Sequence, residues 1–137
     1  MITIENRVGR LIETRFIPPL PEIEFGPFER ERERLMRSRG RDRLVCIDLS
    51  RIQVLPPAQA DFFIQFLRQS RPGLTRNAFL LPPGQAILAL QVARVLREAN
   101  NPCRRAFQSA TELIAWLGEM LQPAELVRLT AFLSEVT

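Results

Sequence analysis

The 137-residue chain has no histidine and no tyrosine, and it holds only two cysteines and one tryptophan. Without histidine, the commonest metal ligand and general base is missing. Cys46 and Cys103 are too few for a disulfide framework and lack metal-ligand spacing. No metal or cofactor site is expected. Lysine is also absent, so all 19 basic residues are arginine. Arginine-only usage suits bidentate recognition of phosphate or carboxylate, because the guanidinium is a planar fork. It also follows from codon bias in a GC-rich genome, and its spread over the whole chain fits that second reading better. A net charge of +4 is small for nucleic acid. The lone Trp116 does not alternate with arginines, as a stacking platform for single strands would require. The sequence therefore argues against a nucleic-acid partner.

Long apolar runs are missing too. The longest uncharged stretch, Asn77 to Ala93, is broken by Pro82-Pro83-Gly84 and is too short to cross a bilayer. The first residues, Met1 to Arg7, carry charge where a signal peptide needs its apolar stretch. The expectation is a cytoplasmic protein with no membrane span.

What is present is ordinary globular material: 46% hydrophobic and 25% charged residues. A chain this long fits one domain and buries about two-thirds of its unfolded surface. Ile2 to Glu5 and Arg10 to Ile17 read as a hairpin around the turn-like Asn6-Arg7-Val8-Gly9. Pro18-Pro19-Leu20-Pro21 ends the second strand. Pro27 to about Arg39 is rich in helix formers, with Glu33 and Arg37 placed for an i,i+4 pair, and reads as a largely solvated helix.

Arg43 to Leu49 is a continuous apolar run of strand length, expected at the centre of a sheet with Val45 and Ile47 buried. Pro56-Pro57 opens a helix to about Gln69, since proline is accepted in the first turn. Asn77 to Leu81 reads as a strand, Gln85 to Ala99 as an apolar helix, and Arg104 to Phe107 as the last strand. Ser109-Ala110-Thr111-Glu112 has the form of a capping box for a helix to about Leu121, and Pro123 starts one more, to about Glu135. The order β-β-α-β-α-β-α-β-α-α implies an α/β fold with a mixed, mainly parallel sheet and an N-terminal antiparallel hairpin.

Candidates for chemistry are sparse. The aspartates are Asp42, Asp48 and Asp61. Asp48 ends the central strand, where ligands of open α/β sheets gather, but with no catalytic partner in view it better suits capping the loop that follows. The charge of Arg104-Arg105 beside Cys103 could lower its thiol pKa, whereas Cys46 lies in an apolar run. Leu81-Pro82-Pro83-Gly84-Gln85 has one glycine and no lysine, so it is no phosphate loop. The arginine-dense stretch Glu29 to Arg43 has acidic neighbours and reads as a salt-bridged solvated face. The sequence points away from an enzyme.

Ile47-Asp48-Leu49-Ser50-Arg51-Ile52-Gln53-Val54-Leu55 resembles the central strand and loop of STAS domains, the sulfate-transporter and anti-sigma-factor-antagonist family. Asp48, Leu49, Ile52 and Leu55 match its pattern. Phe107-Gln108-Ser109-Ala110-Thr111-Glu112 is similar to that family's last strand entering its last common helix. Ala115-Trp116-Leu117 resembles the SpoIIAA-like subgroup, sometimes grouped with Sec14-type lipid-binding folds. The likeness spans about Ile2 to Leu121 and leaves Pro123 to Glu135 as an extra helix.

The resemblance implies a non-catalytic regulatory module that docks a protein partner of unknown identity. The expected contact residues are Ser50, Arg51, Gln53, Gln59, Asp61 and Gln65. One departure matters: the family's phosphorylatable Asp-Ser pair falls on Pro56-Pro57, which cannot accept phosphate. The alternative is a carrier enclosing a small hydrophobic ligand or lipid between the helices Pro57 to Gln69 and Gln85 to Ala99. For the extra helix, Leu126, Leu129, Leu133 and Val136 form one apolar stripe, widened by Val127 and Phe132. That stripe suits either a homodimer contact or a lid folded back on the sheet.

Overall fold

The computed structural model describes residues 1–38, 42–68 and 74–135. Its strands are β1 (Ile2–Val8), β2 (Leu11–Phe16), β3 (Arg43–Asp48), β4 (Leu74–Leu80) and β5 (Arg104–Phe107). Its helices are α1 (Phe25–Ser38), α2 (Pro57–Arg68), α3 (Ala86–Ala99), α4 (Ala110–Gly118) and α5 (Pro123–Ser134). A single 3₁₀ turn, Glu22–Glu24, precedes α1.

The five strands lie side by side in chain order, β1 antiparallel to β2 and the rest parallel. Each crossover steps one strand in the same direction, so crossovers of one hand put α1, α2 and α3 on one face of the sheet. The helices α4 and α5 cover the other face. Strand order never reverses, and the sheet therefore lacks the switch-point crevice where doubly wound folds bind cofactors.

Alternation along the strands sorts the core into these two layers. On β3, Ile47 faces the α1–α3 layer while Leu44 and Cys46 face α4 and α5. Ile47 is buried as expected. Val45 is only partly buried, packed with Ile12, Leu35 and Met36 under the C-terminal half of α1. The α1–α3 layer is built on phenylalanines: Phe16, Phe25, Phe28, Phe62, Phe63 and Phe66 form a connected cluster with ring centroids 4.8–6.3 Å apart. Edge-to-face and tilted pairs of this kind add to the burial itself.

The first helix corrects an expectation. It does not float on solvent: Phe25, Phe28, Arg32, Leu35 and Met36 are buried at helical spacing, with the Arg32 guanidinium 3.8 Å from the centre of the Phe66 ring. The dense arginine–glutamate pattern hid this stripe, although Glu33 and Arg37 do pair at 3.3 Å on the outer side.

The hairpin turn is fixed by Gly9, whose φ of +54° favours glycine. A Cβ there would also come within 2.3 Å of the Glu125 carboxylate. One extra residue in β1 between Glu5 and Val8 makes a bulge, held by the Asn6 amide donating to the Gly9 and Leu11 carbonyls. The outward Ile2 N–H donates to Glu24 at 3.0 Å. Bulge and side-chain cap together blunt an edge that would otherwise template strand addition.

The helix boundaries depart from the sequence reading by a residue or two at most ends. Gln69, expected to close α2, and Val136, expected in the last stripe, lie outside the described residues. Ser109 caps α4 by accepting the Glu112 N–H at 3.2 Å, and α4 ends at Gly118, three residues before the expected Leu121. Among the described residues, no helix is long and apolar enough to cross a membrane.

Candidate docking site

The connection from β3 to α2 is shaped by a few anchors. Asp48 is buried and ends its strand by accepting the Ser50 N–H at 2.9 Å, while its other oxygen pairs with Arg15 at 2.9 Å. It is thus a loop cap and ion-pair partner. Ile52 and Leu55 plunge into the core. Leu55 is clasped by Gln91 of α3, which accepts its N–H at 2.8 Å and donates to its carbonyl at 2.6 Å. Between these anchors the chain has nowhere to bury Gln53 and Val54, so Val54 stands 53% exposed. Pro57 then starts α2, which buries Ala60, Phe63, Ile64, Phe66 and Leu67.

Facing this loop, across the carboxyl ends of β2 and β3, runs the segment from Pro18 to the Glu22–Glu24 turn. Gln59 bridges the two walls by donating to the Leu20 carbonyl at 3.0 Å. The result is an open two-part groove. One part, about 400 Å³, is lined by Pro18, Leu20, Ile52, Val54, Arg51 and Gln53 among others. The second, about 340 Å³, is lined by Glu22, Phe25, Gly26, Ala58 and Phe62, and shares Pro56 and Gln59 with the first.

Of the residues expected to contact a partner, Arg51, Gln53 and Gln59 line this groove. Gln59 is a wall rather than a free donor. Ser50 is exposed on the same loop, and Asp61 and Gln65 lie one turn apart on the outer face of α2. The structure thus gathers three of the six and spreads the other three along the neighbouring surface. Sequence reasoning missed the opposite wall, Pro18 to Phe25. The run Pro18-Pro19-Leu20-Pro21 registered only as a strand end, although three prolines hold apolar surface in the open without a helix to bury it.

Cys46 is fully buried, and burial pushes its thiol pKa far above the ordinary range, helped by Asp48 and Glu13. At Cys103 partial burial raises the thiol pKa and outweighs the lowering by Arg104. Among the described residues, no group of three side chains has the makings of a metal site.

The interior between α2, α3 and the sheet is filled, leaving about 10 Å³ among Leu55, Phe63, Phe79, Val92 and their neighbours. A second internal space, under α1, measures about 20 Å³.

No family model, curated protein or solved structure matches this chain.

The last helix is part of the core. Leu129 and Phe132 are buried against Leu11, Leu44, Leu113 and Leu117, so Leu129 has no surface to offer a second chain. Leu133 is half-buried against the same cluster, and only Leu126 of the three expected dimer residues is exposed, beside Val127. Charge completes the docking of α5. Arg128 makes a bidentate pair with buried Glu13 at 2.7 and 2.9 Å. Arg15, stacked 4.2 Å from the centre of the Phe132 ring, donates to Glu135 at 3.0 Å and to the Phe132 carbonyl at 2.5 Å.

Glu125 accepts the Arg10 N–H at 2.6 Å, the Gln122 N–H at 2.8 Å and the Arg10 guanidinium at 2.9 Å. Burial works to raise the Glu125 pKa, but these bonds outweigh it and hold the carboxyl below its usual value. Glu135 is likewise lowered, by hydrogen bonds from Arg15 and then Arg128.

Proposed function

We propose that this chain is a non-catalytic, STAS-like regulatory module that docks a protein partner through the groove between Pro18–Phe25 and Ser50–Phe62. The observation that carries this reading is the groove itself. Leu20, Val54, Pro56 and Phe62 sit in an open concavity at the carboxyl end of the sheet, rimmed by Arg51, Gln53 and Glu22. Apolar surface in the open with a polar rim is the anatomy of a protein contact. The buried, fully engaged Asp48 and the inert Cys46 supply no competing catalytic centre.

The prolines at the start of α2 occupy the place that the resembled family uses for a phosphorylatable serine. Docking here is consequently not switched by phosphate at that position. Stoichiometric phosphate on Ser50 would overturn that point. The carrier alternative lacks a comparable observation: ligand pockets run to roughly 300 Å³ and more, whereas α2, α3 and the sheet leave about 10 Å³ between them.

The test compares the wild-type chain with Val54→Asp as immobilised baits in a native lysate, read by quantitative mass spectrometry. Docking predicts a protein captured by wild type and lost with Val54→Asp while the variant keeps its thermal midpoint. Equal capture by both baits would refute the groove. A small apolar molecule co-purifying at unit stoichiometry in native mass spectrometry would favour the carrier.

A further inference from the structure

The groove carries a second pattern, in its charges. Most arginines of this fold are engaged within the chain: Arg10 with Glu125, Arg15 with Asp48, Arg76 with Glu119, and Arg128 with Glu13. Among the described residues Arg51 and Glu22, like Arg30 and Arg97, are not. Their side chains form no ion pair or hydrogen bond with any described residue. They stand in opposite halves of the groove, Arg51 in the half with Val54 and Glu22 in the half with Phe25 and Phe62. Beside each is apolar surface: Phe62 lines the half that holds Glu22, and Val54, 53% exposed, follows Arg51 by three residues.

A negative charge in one half of the groove and a positive charge in the other are matched by the charges of a second copy turned through a two-fold rotation. Two-fold contacts place the same patch on both sides, so each pairing occurs twice. We infer that the partner of this groove is a second copy of the chain, turned so that Glu22 of each protomer meets Arg51 of the other, with Val54 beside the contact. The inference rests on reading the groove as a docking surface and names its occupant. It moves the dimer contact away from α5, where Leu129 is spent on the chain's own core. The charges fix the register of the two copies, while Leu20, Pro56 and Phe62 supply the apolar area.

Sedimentation velocity of the full chain over micromolar to submillimolar concentrations tests this. The wild type is expected to dimerise. Arg51→Glu and Glu22→Arg are each expected to raise the dimer dissociation constant about tenfold or more, because each reversal sets two like-charge contacts in one interface. The double variant Glu22→Arg with Arg51→Glu restores both pairs and the dimer. Both residues are on the surface, and unchanged circular dichroism and thermal midpoints confirm that each variant folds.

A wild type that stays monomeric throughout overturns the inference, as does a dimer indifferent to the single reversals or not recovered by the double one. A monomer whose Val54 still crosslinks to a foreign protein would overturn self-docking and leave the docking reading intact.

Discussion

Replacing Glu125 with glutamine probes the contact that joins the first turn of α5 to the β-hairpin. In the native chain the buried carboxylate receives the Arg10 N–H, the Gln122 N–H and the Arg10 guanidinium, all within 2.9 Å. Glutamine keeps the shape but has one acceptor oxygen, and its amide would point donors at donors. Removing one partner of a buried pair costs about 3–5 kcal/mol when the other charge is trapped. Here the Arg10 side chain is 28% exposed and can turn to water. The expected loss is therefore smaller, about 2–3 kcal/mol, or roughly two charge-assisted hydrogen bonds less their solvent compensation. For a domain of this size that lowers the thermal midpoint by roughly 8–12 °C.

The pH dependence has a definite sign. The Glu125 carboxyl is held below its usual value in the fold, so its contribution is complete above the unfolded pKa, about 4.3, and is lost as pH falls through the folded value. Urea unfolding of wild type and Glu125→Gln at a series of pH values should show a gap at pH 7 that closes below about pH 4. A gap under about 0.5 kcal/mol, or one of constant size down to pH 3, would refute the reasoning.

Three further outcomes follow from the same packing. Leu129→Ala should cost about 2–5 kcal/mol in urea unfolding, as a large-to-small change in a filled core, whereas Val127→Ser on the exposed side of α5 should stay within about 0.5 kcal/mol. Gly9→Ala should destabilise by more than 1 kcal/mol or so, since it meets both a positive φ and the Glu125 carboxylate; a neutral result would mean that the turn relaxes freely. In thiol labelling at pH 8 under native conditions, Cys103 should react well before Cys46, whose modification should follow global unfolding. Equal rates would show that the α4–α5 layer opens on its own.

Much of the architecture was legible because local signals agreed. The apolar run Arg43 to Leu49, the proline at the start of α2 and the serine cap of α4 each specify one element of the chain order. The α1 stripe was hidden because Arg32 is buried through its stem and ring contact, which no hydropathy pattern registers.

The stripe on α5 could be read as lid or dimer face because periodicity shows that a face is apolar, not what it meets. What decides Leu129 is the set of charges on β2, Glu13 and Arg15, that reach α5 from over a hundred residues away. The groove was half visible. Its loop from Ser50 to Gln59 is contiguous in sequence, but its other wall comes from Pro18 to Phe25, and only folding brings the two together.

The claim that this groove is a docking surface is tested most directly by a photoreactive benzoylphenylalanine at position 54, with the same residue at exposed Glu112 on α4 as reference. After irradiation in a native lysate or at high protein concentration, position 54 is predicted to give a defined protein adduct, whether a second copy or a foreign chain. Position 112 is predicted to give none. Absence of any adduct at position 54, or the same adducts from both positions, would contradict the account.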